Sequence, residues 1–163
     1  MATANSNILL KNSKILTNGE KFTIYLVVSQ WNKIITNSLL IAAEETLIKA
    51  GVKSENITVW DVPGSFELIY GSKKAQKKNP NAVIAIGSII QGETKHFEYV
   101  CQAVTHGIKD LNVNSDVPVI FCVLTDSNVE QAKARSGGKF GNKGIEAAIA
   151  ALKMAEFSRN TKK

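Results

Sequence analysis

No stretch of the 163 residues approaches the run of about 18 apolar residues that a membrane-spanning helix needs. The amino-terminal segment MATANSNILLKNSKILTNGEK also lacks a continuous apolar core followed by a small-residue cleavage site, so no secretion signal is read there. Cysteine is scarce: Cys101 and Cys122 stand in a helix-like and a strand-like apolar segment, with no C-x-x-C pair and no neighbouring histidine. That argues against zinc or thiol redox chemistry, and both read as buried thiols. A cytoplasmic protein without membrane association is the expectation. The two histidines, His96 and His106, fall about 280° apart around a helix and cannot form a metal pair on one face, so no metal site is expected. No G-x-G-x-x-G follows a strand and no Walker sequence occurs, which argues against a dinucleotide cofactor or a P-loop. The net charge of +6 invites a nucleic-acid reading. Yet no aromatic residues interleave with Lys73, Lys74, Lys77 and Lys78 or with the terminal Lys162 and Lys163, so these read as solvated faces.

What is present is an ordinary globular composition, 44% apolar and 21% charged, in a chain long enough to bury a core without metals or disulfides. A polar arm over residues 1–20 precedes one α/β domain over 21–158 and a basic tail over 159–163. FTIYLVVS, residues 22–29, is apolar on both faces, as a buried strand requires. A helix over 34–50 follows, with Ile35, Leu39, Ala42, Ala43 and Leu47 on one face and Gly51 placed to end it. Next come a strand over 56–62 and a helix to about Lys78 for which Ser65 is the natural N-cap. A third strand over 82–88 leads to a helix with Phe97, Val100, Cys101, Val104, Ile108 and Leu111 at helical spacing. The fourth strand, 117–125, runs into Ser127-x-x-Glu130, a capping-box spacing that starts a short helix ended by Gly137 and Gly138. The last helix spans about 142–156. Strands and helices in strict alternation imply right-handed βαβ units, hence a three-layer αβα fold with a four-stranded parallel sheet of flavodoxin-like type.

In such sheets ligands bind beyond the carboxyl ends of the strands. Gly92-Glu93-Thr94-Lys95-His96 occupies one such end and opens a helix, where unpaired N–H groups of Glu93 and Thr94 suit a phosphate; capping by Thr94 is the simpler alternative. His96 is suited to general acid and base work, or is merely exposed. Trp31 and Phe66 each follow a strand end, where they stack on a planar ligand or complete the rim of the core. Glu67 either receives ligand hydroxyls or serves the helix dipole. RSGGKFGNKG, 135–144, sets three cations among glycines and is a weak phosphate signal by itself.

Read together, QWN (30–32), VPGSFE (62–67), GSIIQGETKHFEYV (87–100), PVIFCVLT (118–125) and RSGGKFGNKG make the chain resemble the 6,7-dimethyl-8-ribityllumazine synthase family, in order and with compatible spacing from about Phe22 to Glu156. The resemblance implies condensation of 5-amino-6-(ribitylamino)uracil with 3,4-dihydroxy-2-butanone 4-phosphate, with loss of phosphate and water and with no metal or redox cofactor. It implies that Trp31 stacks on the pyrimidine and that Ser65, Phe66 and Glu67 hold the ribityl chain. The backbone of Ser88, Ile89 and Ile90 would meet the polar ring edge, with Lys143 near a ring carbonyl. Glu93 and Thr94 would cradle the phosphate with Arg135, and His96 would transfer protons.

The same resemblance brings Phe121, Arg135 and Lys143 from a neighbouring subunit of a ring-shaped homopentamer. The short GGKFGN connection is similar to that of members whose pentamers close into icosahedral shells. It also implies that the amino-terminal arm adds an edge strand to a neighbour, and it makes riboflavin synthase a candidate partner. Gln91 stands where arginine is common, and Gln30 and Lys33 also depart from the usual choices, which bears on affinity and loop geometry. Two other classes stay open at this point. A flavin- or lumazine-binding module without catalysis would bind ligand without turnover, and a basic nucleic-acid-binding domain would show salt-dependent binding.

Overall fold

The computed structural model describes residues 18–161. The expected edge strand of the amino-terminal arm, through residue 17, and the lysines at 162 and 163 lie outside the described residues. Four strands, β1 (Ile24–Ser29), β2 (Ile57–Val62), β3 (Ala82–Ile90) and β4 (Val119–Asp126), form one parallel sheet in the order β2-β1-β3-β4. Among the described residues five helices connect and cover it: α1 (Lys33–Lys49), α2 (Leu68–Gln76), α3 (His96–Val113), α4 (Val129–Arg135) and α5 (Lys143–Thr161).

Strand chemistry follows position in the sheet. Central β3 is buried over its first eight residues and is apolar on both faces, whereas edge strand β2 has no buried residue. The two faces carry separate cores. Ile24, Leu26 and Val28 of β1 pack with Leu39 and Leu47 of α1 and Ala148 and Leu152 of α5. On the other face Val27, Val83 and Ala85 meet Leu68 of α2 and Val104 and Ile108 of α3. The alternation along β1 and β3 thus divides the helices into two layers, giving the expected three-layer αβα arrangement. Burying each large aliphatic side chain contributes roughly 1.5–3 kcal/mol, and truncating one such as Leu39 to alanine costs about 2–5 kcal/mol.

Gly51 ends α1 as expected. At φ +92° its N–H donates to Ile48 O at 2.9 Å, and the Val52 N–H donates to Leu47 O at 3.0 Å. This paired closure leaves the chain in a left-handed turn that glycine adopts without a Cβ penalty.

Several boundaries differ from the expectation. Ser65 does not cap α2: it lies in the turn before the helix, and no side chain caps the Glu67 position. Its hydroxyl is turned inward against Gly87 instead, because glycine on β3 leaves room there. The cap of α4 falls one residue later than the Ser127 spacing implied. Asn128 Oδ1 accepts from the Gln131 N–H at 2.9 Å, and Gln131 Oε1 accepts from the Ser127 N–H at 3.0 Å. Gly137 and Gly138 do not simply break the chain. They enter a small antiparallel ladder, β5 (Ser136–Gly138) with β6 (Gly141–Asn142), anchored to α1 by Asn142 Nδ2 donating to Ser38 O at 3.1 Å. Asn142 Oδ1 also receives the Gly144 N–H at 2.8 Å, so α5 begins at Lys143, and it runs past Glu156 to Thr161.

Candidate active site

The parallel register places the ends of all four strands on one side: Ser29 is level with Val62, and Ile90 with Asp126. At this end, on the α2 and α3 face, opens a cleft of about 730 Å³. Its walls include Trp31 after β1, Ser65, Phe66 and Glu67 before α2, Ser88, Ile89 and Ile90 of β3, and Thr94 and His96 at the start of α3. Nine of the residues singled out from the sequence therefore share one space. Glu93 belongs to the same turn but does not line the cleft.

Local structure explains why these side chains are presented. Asn32 takes a left-handed conformation, φ 57° and ψ 45°, and its Nδ2 donates to Ser88 O at 2.9 Å. This bond ties the turn after β1 to the end of β3, and it commits the Asn32 side chain so that it does not cap α1. Trp31 is left 71% exposed and Phe66 54% exposed, two large rings on the walls of one cleft. Large apolar rings in water beside a cavity are the arrangement that a planar ligand covers. The Glu67 carboxylate makes no hydrogen bond or ion pair among the described residues, and the Ser65 and Ser88 hydroxyls are buried without partners.

The turn at Gly92–Lys95 supplies a different chemistry. None of its four backbone N–H groups is hydrogen-bonded among the described residues. They precede an 18-residue helix whose dipole favours negative charge at this end. Thr94 Oγ1 accepts only a long 3.4 Å bond from the His96 N–H, so the capping alternative is weakly expressed. His96 is the first residue of α3 and is exposed at the cleft.

Phe121, Arg135 and Lys143 do not reach this space within one chain. Phe121 is 41% exposed on edge strand β4. Arg135 Nη1 lies 3.6 Å from Asp126 Oδ1, and its guanidinium sits over the Phe140 ring, 5.2 Å from the centroid. Lys143 Nζ bonds both carboxylate oxygens of Glu146, at 2.8 and 2.9 Å. Among the described residues that line the cleft there is no lysine or arginine; those that ionise are Glu67, His96 and Tyr99. Burial and the Glu146 carboxylate push the Cys122 thiol up to about 12 despite nearby Lys143, so this buried cysteine is inert. Among the described residues no group of three or more His, Cys, Asp or Glu could hold a metal ion, and no helix is long and apolar enough to cross a membrane.

Three contributions were not legible beforehand. Tyr99, Val100 and Ala103 continue the His96 face of α3 into the cleft, and Val100 also packs against the core on this face of the sheet, so its apolar spacing carries no sign of the cleft. Asn32 stands in a strand-end segment, and an asparagine at such a turn, where left-handed backbone is common, is the available signal. Asp126 is a buried carboxylate at the end of β4, and its position on the ligand side of the sheet was the signal.

Comparison with known proteins identifies the family to which the chain as a whole is similar. Residues 21–159 match the family model described as 6,7-dimethyl-8-ribityllumazine synthase. The chain is 55% identical to a protein of that name from Christiangramia forsetii, over 99% of this chain and 98% of the relative. It is 57% identical to that of Flavobacterium johnsoniae over 95% of this chain and 82% of the relative. The Phocaeicola vulgatus protein of the same name is 46% identical over 100% of this chain and 98% of the relative.

Proposed function

The chain belongs to the 6,7-dimethyl-8-ribityllumazine synthase family, and we propose that the cleft at the ends of β1 and β3 is where it joins its two substrates. The enzyme condenses 5-amino-6-(ribitylamino)uracil with 3,4-dihydroxy-2-butanone 4-phosphate to 6,7-dimethyl-8-ribityllumazine, releasing phosphate and water, in riboflavin biosynthesis. The observation that carries the site assignment is the meeting of two exposed rings, Trp31 and Phe66, with His96 and a helix N-terminus in one cavity.

In this reading Trp31 stacks on the pyrimidine, and Ser65, Phe66 and Glu67 hold the ribityl chain, with the Glu67 carboxylate free to accept hydroxyl hydrogen bonds. The Asn32 amide already engages the Ser88 carbonyl, so the polar ring edge falls mainly to the backbone of Ile89 and Ile90. The free N–H groups around Glu93 and Thr94 receive the phosphate. The pyrimidine amine attacks the ketone and expels water to form an imine, phosphate is eliminated to leave an enol that becomes a second ketone, and the ribitylamino nitrogen attacks it and expels another water as the ring closes. His96 carries protons between these steps. Holding two substrates in attack geometry supplies about 7–11 kcal/mol of the barrier lowering open to such a site, so few reactive side chains suffice.

A dianionic phosphate in a cleft whose walls, among the described residues, offer no lysine or arginine calls for a cation from elsewhere. We assign that role to Arg135 of a neighbouring subunit, with Lys143 and Phe121 arriving by the same edge. A ring-shaped homopentamer supplies this arrangement. Support comes from the stripe Ile34, Ile41 and Ile48 along α1, 81%, 48% and 53% exposed, which is an apolar surface that association would cover. Closure of pentamers into an icosahedral shell, a cytoplasmic setting and contact with riboflavin synthase belong to the same proposal. They rest on the family resemblance of the sequence.

The test is direct. The purified protein mixed with both substrates yields a lumazine absorbance and fluorescence signal well above the spontaneous condensation, and His96→Ala slows it while circular dichroism stays unchanged. A rate equal to the uncatalysed background would leave only a ligand-binding module.

A further inference from the structure

Asp126 has no role in the chemistry above, yet its position is unusual. It is the last residue of β4, 4% exposed, and its backbone is fixed to the end of β3 by the Gln91 N–H donating to Asp126 O at 2.9 Å. One carboxylate oxygen, Oδ1, faces Arg135 Nη1 at 3.6 Å, and the other, Oδ2, is buried without a hydrogen-bond partner among the described residues. A buried carboxylate that faces its ion-pair partner at 3.6 Å and accepts no hydrogen bond among the described residues is a poor stabiliser, because desolvation opposes the attraction to its partner. Burial pushes the Asp126 carboxyl up, and Arg135 only partly offsets this. Fold stability therefore gives no reason for an acid at this position.

The arrangement around Arg135 gives one. Its Nη1 also donates to Gln131 O at 3.2 Å, and its guanidinium rests on the Phe140 ring. Asp126, Gln131 and Phe140 thus restrain the group from three directions. Both polar contacts use Nη1, so the Nε and Nη2 edge meets no hydrogen-bond acceptor among the described residues. That edge is the planar fork that grips a phosphate with two parallel bonds, and it is effective only when held in orientation.

We propose that Asp126 is a positioning residue that holds the Arg135 guanidinium with its free fork turned outward to the phosphate of the butanone substrate. This rests on the reading that Arg135 binds that phosphate. Asp126 touches neither substrate. It acts by limiting the orientations of a long side chain before the ligand arrives, which lowers the entropy lost on binding. Asparagine at the same place keeps the volume and an acceptor oxygen, so it retains much of the effect, whereas alanine releases the guanidinium.

The experiment measures KM for each substrate and kcat in Asp126→Ala, Asp126→Asn, Arg135→Ala and the Asp126→Ala/Arg135→Ala double variant, with thermal unfolding of each. Asp126→Ala is expected to raise KM for the phosphorylated butanone about tenfold and to leave kcat and the pyrimidine KM within about twofold. Asp126→Asn recovers most of the loss, and the effect disappears in the Arg135→Ala background. If Arg135→Ala raises the butanone-phosphate KM while Asp126→Ala leaves it unchanged, the positioning role is overturned and the phosphate role of Arg135 survives. If Arg135→Ala itself leaves that KM unchanged, the phosphate reading fails and the positioning role fails with it. An even loss against both substrates, tracking lower thermal stability and not recovered by asparagine, would make Asp126 a structural residue and overturn the proposal.

Discussion

Gly87→Ala tests how the cleft-lining turn is seated on the sheet. Gly87 lies in the buried centre of β3, and a Cβ built there would stand 2.8 Å from Ser65 Oγ, 2.8 Å from Leu68 Cδ1 and 3.4 Å from Ser65 Cβ. Two contacts fall well inside van der Waals distance, and the neighbours belong to the segment that carries Phe66 and Glu67. The added methyl must push that turn and the start of α2 away from the sheet. Overpacking of this kind costs about 1–3 kcal/mol. At roughly 2–4 °C per kcal/mol for a chain of this size, the melting temperature falls by about 2–12 °C. Ser65→Ala removes one of the two clashing atoms, a hydroxyl that is buried without a partner. By itself it should leave stability unchanged or raise it by about 1 kcal/mol, because an unsatisfied buried hydroxyl is lost. In the Gly87→Ala background it should return part of the lost stability, and the residual deficit reports the Leu68 contact. Differential scanning calorimetry of the four proteins gives the coupling. A Gly87→Ala protein that melts with the parent, or a double variant no better than Gly87→Ala, would refute the packing described for this turn.

Trp31→Ala should leave the melting temperature unchanged, since the ring is mostly in water. It should raise KM for the pyrimidine about tenfold, as expected for one stacked ring worth about 1–3 kcal/mol; an unchanged KM in steady-state kinetics would remove the stacking role. Asp126 binds its proton more tightly in the folded chain than its ordinary value of 3.8, so its unfavourable contribution grows as pH rises past that value. Asp126→Asn should therefore melt higher than the parent at neutral pH, with the difference vanishing as pH approaches 3.8 and below; a pH-independent difference would contradict the assignment. Cys122, buried and with its thiol pushed up to about 12, should resist aromatic disulfide reagents in the folded protein, while half-buried Cys101 reacts slowly. Equal rates would show that the β4 core opens readily.

The fold was legible because the layers are written in the strands. β1 and β3 are apolar on both faces, and the helices between them carry their apolar residues at spacings of three and four, which leaves a parallel sheet as the solution. The turns were less legible. Ser65 has the chemistry of a cap, but a glycine on a neighbouring strand, distant in sequence, gives its hydroxyl another place. The capping frame of α4 slipped by one residue because Ser127, Asn128, Glu130 and Gln131 offer two overlapping boxes, and local spacing does not choose between them. Much of the cleft was legible from one rule, that ligands gather at strand ends, and the motifs at those ends placed Trp31, Phe66 and His96 in one cavity. The α3 residues Tyr99, Val100 and Ala103 were not, since periodicity identifies an apolar face but not what it packs against. Asn32 reaches from the turn after β1 to the Ser88 carbonyl on β3, and Asp126 at the end of β4 faces Arg135 at the end of α4; neither contact has a local signature in the sequence.

A site divided between subunits makes a demand that no single-chain site makes. His96→Ala and Arg135→Ala subunits are dissociated, mixed in equal amounts and reassembled, and lumazine formation is followed at a butanone-phosphate concentration where each variant alone is slow. If the cleft of one subunit works with the arginine of its neighbour, random mixing restores roughly a quarter of the sites with both groups intact, and activity rises towards that fraction of the parent. Activity that stays at the sum of the two separate variants would show that Arg135 does not serve a neighbouring cleft, and would contradict the completion of the site across subunits.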